Sequence, residues 1–564
     1  MTAFRAQALD GAGAARFRHA ASLLQAGETA KALAIAEHLA AQTPHAADAW
    51  QLLGMCLDGS GRHAQAVLAF ERALGLAPGN AVVVKNYGLC LARQGRALRT
   101  DGQLEAAAPV LRRAVALAPY QVSAWVDLGA VLRMLGHIDE GLVAFRRAEE
   151  LLRGRGPVPA ELRDAINGTL VDAGRPTEAL PAARALVAEN PGYAPAHETL
   201  AHLLWEYGRA LAPDEDPLST FLMAARDRPD NRELQLALAR MLVSAQRADE
   251  ALEIVRAQRE HEPDDPHLQW FAADALDALG RHDEAFALYE RAARSGLADV
   301  PAFLNAWARH AFRTRRIELA GECAQRVLRI DPCNQEGWSH LAIVWRLAGD
   351  EREHWLCDYE RLVGQVWIEP PAGFDDLEAF LAALSTTLEP LHGAGREPVN
   401  QSVRGGTQTA GRLFGRNDRV IGAAEESVHA AVERWLAGLP DDPSHPFLSR
   451  KGACARFVGS WSVRLQSSGR HANHIHAEGW LSSAFYVALP RSVLAADGGS
   501  QAGWIQFGQP LEELRLDLSP RCCIRPAPGR LVLFPSYIWH GTVPFEDSHP
   551  RLTIAFDMQP GSPA

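Results

Sequence analysis

The sequence lacks any run of about eighteen consecutive apolar residues, the length a helix needs to cross a bilayer, so no transmembrane segment is expected. Its first residues, Met1 to Arg18, hold no continuous apolar stretch, and no secretory signal peptide is expected there. Cysteine is scarce, with eight in 564 residues, scattered except for Cys522-Cys523. Sequence neighbours rarely form a structural disulfide, so all eight read as reduced thiols, which points to a cytoplasmic protein. Positive charge is in deficit, 57 Lys and Arg against 68 Asp and Glu, for a net charge of -11. Gripping phosphates or an anionic membrane takes a basic surface, so neither nucleic acid nor membrane is expected as a partner. Hydrophobic residues make up 47% of the chain, enough for folded cores, over a length that one core rarely spans. Two or more structural units follow.

What is abundant is repetition. The clearest unit runs Trp50, Leu53, Gly54, Leu57, Ala66, Phe70, Ala73 and Pro78. It reads as two amphipathic helices around a turn at Gly59-Ser60-Gly61, with Gly54 and Ala66 where the helices cross and Pro78 ending the second. Trp125, Leu128, Gly129, Phe145 and Ala148 repeat it. Between these two lies Tyr87, Gly88, Ala107, Ala114 and Pro119, a unit with extra residues around Ala97 to Gly102. Weaker copies continue to one that starts at Trp338, Leu341 and Ala342. The period of about 34 residues and this pattern resemble the tetratricopeptide-repeat family. The resemblance implies an all-α superhelix over residues 1–365, of roughly eight or nine units. Its concave groove would hold a peptide or another protein, or else serve as a scaffold.

Composition shifts near Glu369-Pro370-Pro371-Ala372-Gly373, a breaker cluster. Residues 366–450 read as a helical lead-in, with helices over Phe374 to Leu391 and Glu425 to Leu439 and a polar loop from Asn400 to Thr409. Residues 451–564 read as short strands: Ala455 to Leu465, Leu481 to Leu489, Gly503 to Phe507, Arg530 to Phe534 and Arg551 to Asp557. Asp497-Gly498-Gly499 and Pro526-Ala527-Pro528-Gly529 supply turns between them. An antiparallel barrel or jelly roll fits this spacing.

The chemistry lies in His471-Ala472-Asn473-His474-Ile475-His476-Ala477-Glu478. On an extended strand residues two apart share a side, so His474, His476 and Glu478 would face one cavity. A distal imidazole, His540, follows in Phe534-Pro535-Ser536-Tyr537-Ile538-Trp539-His540, and Arg551 opens the last strand. A non-haem iron(II) oxygenase holds its metal on one triangular face and leaves positions open for 2-oxoglutarate and dioxygen. Two near ligands and a distal one build such a face. A fixed cation beyond them suits the far carboxylate of 2-oxoglutarate. Two registers fit: His474, His476 and His540, or His476, Glu478 and His540.

Asn473-His474-Ile475-His476, Gly479-Trp480-Leu481-Ser482-Ser483, Leu533-Phe534-Pro535-Ser536 with Trp539-His540, and Arg551-Leu552-Thr553-Ile554-Ala555-Phe556-Asp557 resemble the 2-oxoglutarate/Fe(II) oxygenase domain often joined to tetratricopeptide repeats. The likeness covers about residues 395–560. It implies a double-stranded β-helix with one iron, and it favours His474 over Glu478 as the third ligand. The reaction implied consumes dioxygen and 2-oxoglutarate and hydroxylates a protein or peptide held by the repeats. Arg551 would anchor 2-oxoglutarate, and Arg464, Tyr486 and Ser482 are further candidates for its contacts. Gln401, Arg404 and Gln408 would form a polar lid. His471 reads as a polar residue on a wet face and Trp539 as packing. An adaptor with an inactive or sensing oxygenase-like domain is the alternative, and a metal-dependent isomerase or lyase a third possibility.

Overall fold

The computed structural model describes residues 8–399, 401–452, 454–495 and 500–561. Asn400, Ala453 and the Asp497-Gly498-Gly499 turn lie outside the described residues. The chain divides into two compact units, residues 1–169 and 170–564.

The first unit is a stack of antiparallel helix pairs: Gly11–Gln25 with Thr29–Gln42, Ala47–Gly59 with His63–Leu76, Ala81–Thr100 with Leu104–Leu117, and Val122–Met134 with Ile138–Leu152. The small residues are there because the paired helices touch. A Cβ added to Gly54 would stand 2.9 Å from the Phe70 ring, and one added to Gly129 would stand 2.7 Å from that of Phe145. Each signature tryptophan has a polar duty as well. The Nε1 of Trp50 donates to the Pro44 carbonyl at 3.0 Å, and that of Trp125 to Pro119 at 2.9 Å. This ties a first helix to the end of the preceding pair. The extra residues near Ala97 lengthen the helix Ala81–Thr100 by about two turns instead of forming a loop.

The second unit continues the repeat from Pro176–Glu189 through Gln335–Ala348, with a short last helix Arg352–Leu356. The tryptophan device recurs there, with Trp338 Nε1 on the Pro332 carbonyl at 2.9 Å. Among the described residues nine strands follow: β1 (Gly364–Trp367), β2 (Val403–Gln408), β3 (Ala455–His471), β4 (Leu481–Ala488), β5 (Ile505–Phe507), β6 (Cys522–Ile524), β7 (Arg530–Pro535), β8 (His540–Thr542) and β9 (Arg551–Pro560). They form two antiparallel sheets, one in the order β1-β7-β4-β9-β3-β2 and one in the order β6-β5-β8. The helices Leu377–Leu388 and Arg419–Ala437 pack apolar faces, among them Phe380, Leu384, Val428 and Val432, into the core of the larger sheet.

The expected lead-in at 366–450 is therefore not wholly helical. It contains β2 and the second half of β1, both sheet-edge strands. Neither advertises itself: β1 spans four residues beginning with a glycine that packs on the Trp435 indole, and β2 carries Gly405-Gly406. The change from helix to strand falls between Leu356 and Gly364, beside the expected boundary at 365/366, yet the compact unit begins at residue 170. The reason is packing. Leu514 and Trp539 sit in one apolar cluster with Phe303, Phe312 and Ile343 of the repeat helices. Arg346 donates to the carbonyls of Gly508 and Ser519 at 2.6 and 2.7 Å, and Trp205 Nε1 to that of Glu397 at 3.1 Å.

His340 lies inside the repeat part of this unit, fully buried against the Phe312 ring, with neither ring nitrogen hydrogen-bonded. Burial lowers its pKa from 6.5 to about 4. As pH falls the unfolded chain takes up this proton first, so the contribution to stability is complete above pH 6.5 and is lost on the way down to about 4. At pH 5 the loss is about 2 kcal/mol. Denaturant unfolding of the full chain at pH 7 and pH 5 checks this: His340→Leu reduces the difference by about that amount, and an unchanged difference contradicts it.

Candidate metal centre and active site

Strand β3 ends at His471, and the following residues leave the regular sheet. Backbone bonds still position the next two histidines. His474 and His540 form an isolated antiparallel bridge, each amide donating to the other's carbonyl, at 2.9 and 3.0 Å. The amide of His476 donates to the Ser536 carbonyl at 3.0 Å. A turn then begins at Ala477-Glu478, which carries the Glu478 side chain into solvent.

These hooks gather three imidazoles. One ring nitrogen from each of His474, His476 and His540 lies within 4.8 Å of the others. The opposite nitrogens are engaged: Nδ1 of His474 with the Ala472 carbonyl at 2.8 Å, Nδ1 of His540 with the Ile538 carbonyl at 3.0 Å, and Nδ1 of His476 with Asp557 Oδ2 at 2.8 Å. Carbonyl and carboxylate oxygens only accept, so this network assigns the proton to each Nδ1 and leaves each Nε2 as an acceptor, that of His474 also 3.3 Å from the Ser402 hydroxyl. His474 Nε2 and His476 Nε2 are 3.1 Å apart. Burial holds the His474 and His540 imidazoles well below their usual pKa, with nearby imidazoles adding to the effect, so both stay neutral. Converging lone pairs on imidazoles repel one another unless a proton or a metal cation sits among them. The donor set fits a divalent metal, and histidine with a fixed outer hydrogen bond is the usual ligand form.

A cavity of about 790 Å³ opens over these rings. Alternate residues of β9, namely Arg551, Thr553, Ala555 and Asp557, line it, as do Gln401, Arg404 and Gln408. Arg551 is fully buried, has no carboxylate within ion-pair distance among the described residues, and leaves Nε without a hydrogen bond. Its guanidinium carbon stands 5.1 Å from the centre of the Tyr486 ring, whose buried hydroxyl interacts with the guanidinium. A buried cation without a counter-charge is costly, and a carboxylate entering the cavity would supply one.

Other expected residues sit elsewhere. Arg464 pairs with Glu389 at 3.2 Å and is absent from the cavity wall, so the structure does not bring it to a co-substrate. Ser482 is buried one step behind the rings, donating to Asp557 Oδ1 at 2.7 Å and bonded to Ser536 Oγ at 2.8 Å. Tyr486 lies beneath Arg551 and off the wall. Glu478 is exposed at the cavity edge and outside the cluster of ligand atoms, because the chain turns where a continued strand would have aimed it inward. His471 is not on a wet face: it lines the cavity, bonds Ser402 Oγ at 3.0 Å, and is held neutral by burial and the nearby Arg551, its pKa lowered to about 3. Trp539 is buried among repeat-helix residues.

Sequence reading missed Asp557, Ser402, Asn473 and Trp461. Trp461 stacks on His476 with centroids 5.7 Å apart, and Asn473 accepts from Gln506 Nε2 at 2.8 Å. Asp557 was recoverable, since it stands six residues beyond Arg551 on the same face of an alternating strand. A second cluster, Asp277, His282 and His310, also has close ligand atoms. There both Nδ1 atoms already meet Asp277 Oδ1 at 2.8 Å and Arg313 pairs with the same carboxylate. The pattern repeats Asp58 with His63 and Arg93 in the first unit, so it is an ion-pair device of the repeat.

Residues 459–557 match the family model described as "Putative 2OG-Fe(II) oxygenase", and residues 17–81, 89–204 and 165–296 match three tetratricopeptide-repeat models. The chain thus carries tetratricopeptide repeats followed by a C-terminal domain of that oxygenase type. Among curated proteins it is similar to the mouse "Protein O-mannosyl-transferase TMTC1", 27% identical over 126 residues, which is 22% of this chain and 13% of that protein. Among solved structures it is similar to MamA of AMB-1, at 23% identity, covering 33% of this chain and 95% of that one with a TM-score of 0.27. MamA from Desulfovibrio magneticus RS-1 matches at 19% identity, covering 33% and 98%, with a TM-score of 0.27. No helix among the described residues is long and apolar enough to cross a membrane.

Anaerobic titration with Co(II) or Fe(II) separates the two ligand registers. His474→Ala, His476→Ala and His540→Ala should each weaken binding by more than about 100-fold, and Glu478→Ala by less than about threefold. A harmless His474→Ala beside a damaging Glu478→Ala would establish the other register.

Proposed function

We propose that this protein is an Fe(II)- and 2-oxoglutarate-dependent dioxygenase that hydroxylates a protein or peptide substrate presented by its repeats. The observation that carries the reading is the pairing of three converging imidazole nitrogens with a buried, uncompensated Arg551 across one cavity. In this reading the two sheets are the faces of a double-stranded β-helix, and His474, His476 and His540 would hold the iron. Bound there, Fe(II) with 2-oxoglutarate and dioxygen supplies the oxidising power that inserts oxygen into a C–H bond while 2-oxoglutarate leaves as succinate and carbon dioxide.

The rest is the chain's own work. Arg551 binds the remote carboxylate of 2-oxoglutarate and so fixes which end faces the histidines. The Nδ1 partners lock the rings in one tautomer and orientation. Trp461, stacked on His476, walls off bulk water from one side of the rings. Support for a peptide substrate comes from a second cavity of about 550 Å³ among the repeat helices, lined by Met241, Val243, Trp270 and Phe271. Ser244 lines both cavities, so an extended chain anchored by an apolar side chain has a continuous path toward the histidines. An adaptor with an inert domain would leave Arg551 buried without a counter-charge, and an isomerase or lyase would give it no anion to hold.

Anaerobic addition of Fe(II) and 2-oxoglutarate should give a weak visible charge-transfer band, and admitting oxygen should give slow succinate formation without substrate. His540→Ala should abolish both. Arg551→Ala should raise the KM for 2-oxoglutarate about 10- to 100-fold, the worth of a charge-assisted bond. Iron binding with no band and no succinate would turn the reading to the adaptor.

A further inference from the structure

We infer that Asp557 supplies, through His476, the negative charge that a three-histidine face lacks, so that it is a positioning and charge-compensating residue for the metal without touching it. This rests on the metal reading above. A face of two histidines and one carboxylate hands a divalent metal one negative charge directly. A face of His474, His476 and His540 hands it none. Among the outer partners of these rings only one is charged: His474 and His540 donate to backbone carbonyls, while His476 Nδ1 donates to Asp557 Oδ2 at 2.8 Å.

The surroundings of Asp557 show what the carboxylate is for. It is buried, at 7% exposure. Among the described residues its only ionic partner is His476, and no arginine or lysine pairs with it. Its second oxygen accepts from Ser482 at 2.7 Å, and Ser482 is itself bonded to Ser536, whose carbonyl holds the His476 amide at 3.0 Å. Carboxylate and imidazole are thus fixed by one small network, with Ser482 opposite Asp557 in the strand register. A buried carboxylate with no arginine or lysine beside it is an undercompensated charge, which costs stability unless a cation lies nearby. A cation on the far nitrogen of that imidazole compensates it. The ring passes the charge along: a carboxylate on Nδ1–H makes Nε2 a stronger donor to metal.

Two consequences have opposite signs, and a purely structural role would not produce both. Removing the charge while keeping the shape, Asp557→Asn, should weaken Fe(II) and Co(II) binding about 10- to 100-fold. The same variant should leave the metal-free protein as stable as before or more so, because a buried unpaired charge is gone. Anaerobic metal titration and thermal unfolding of the full chain, with and without metal, read these directly. Asp557→Glu beside Asp557→Gln gives the same contrast at a second shape, with the charged variant binding metal more tightly, should the asparagine variant not fold.

If Asp557→Asn binds metal as well as the unaltered protein while His540→Ala does not, this inference is overturned and the metal site stands. If Asp557→Asn loses metal as completely as His540→Ala, Asp557 is itself a ligand and the indirect role is wrong. If metal binds equally to all three proteins, the metal reading fails with it. A loss of metal-free stability in Asp557→Asn would mark the residue as merely structural.

Discussion

Three imidazole nitrogens, each stripped of its proton by what its ring's other nitrogen must donate to, point at one another in the wall of one cavity. Two of them stand 3.1 Å apart, close enough that a shared proton or a metal ion must offset the repulsion of their lone pairs. Much of the C-terminal architecture serves to impose that arrangement. The bridge between His474 and His540 joins the segment after β3 to β8 in the smaller sheet. Asp557 on β9 and Ser482 on β4, neighbours in the larger sheet, fix the third ring. The two sheets are therefore tied at the point where the chemistry is proposed, and Arg551 enters the same cavity from the start of β9.

The repeats are not a detachable handle on this site. In the second unit their apolar core includes Leu514 and Trp539, and Trp539 immediately precedes a proposed ligand. Ser244 on a repeat helix forms part of the cavity wall. In the proposed reading, a substrate bound along these helices would reach the histidines without crossing a linker.

Much of this was legible from residues alone, and where it was not the reasons are physical. The Trp50 and Trp125 units declared themselves because bulky and small residues alternate wherever helices cross, as at Gly54 against Phe70. That His474, His476, His540 and Arg551 share one cavity was readable because strand alternation and spacing constrain them. Glu478, the alternative ligand in that reading, lies outside the cluster because the alternation rule presumes a strand that continues, and this one turns at Ala477-Glu478. Arg464 misled because a strand neighbour of the site can equally face away, here toward Glu389. The edge strands β1 and β2 were hidden by their brevity and glycines. Ser402 and Asn473 act through long-range hydrogen bonds that leave no local pattern.

The most direct test of the account is anomalous diffraction at the iron edge from crystals grown anaerobically with Fe(II) and 2-oxoglutarate. The account predicts one strong peak bounded by the Nε2 atoms of His474, His476 and His540, with Asp557 still on His476 Nδ1 and a 2-oxoglutarate carboxylate on Arg551. A peak ligated by Glu478, or iron bound elsewhere with the three rings empty, would contradict it.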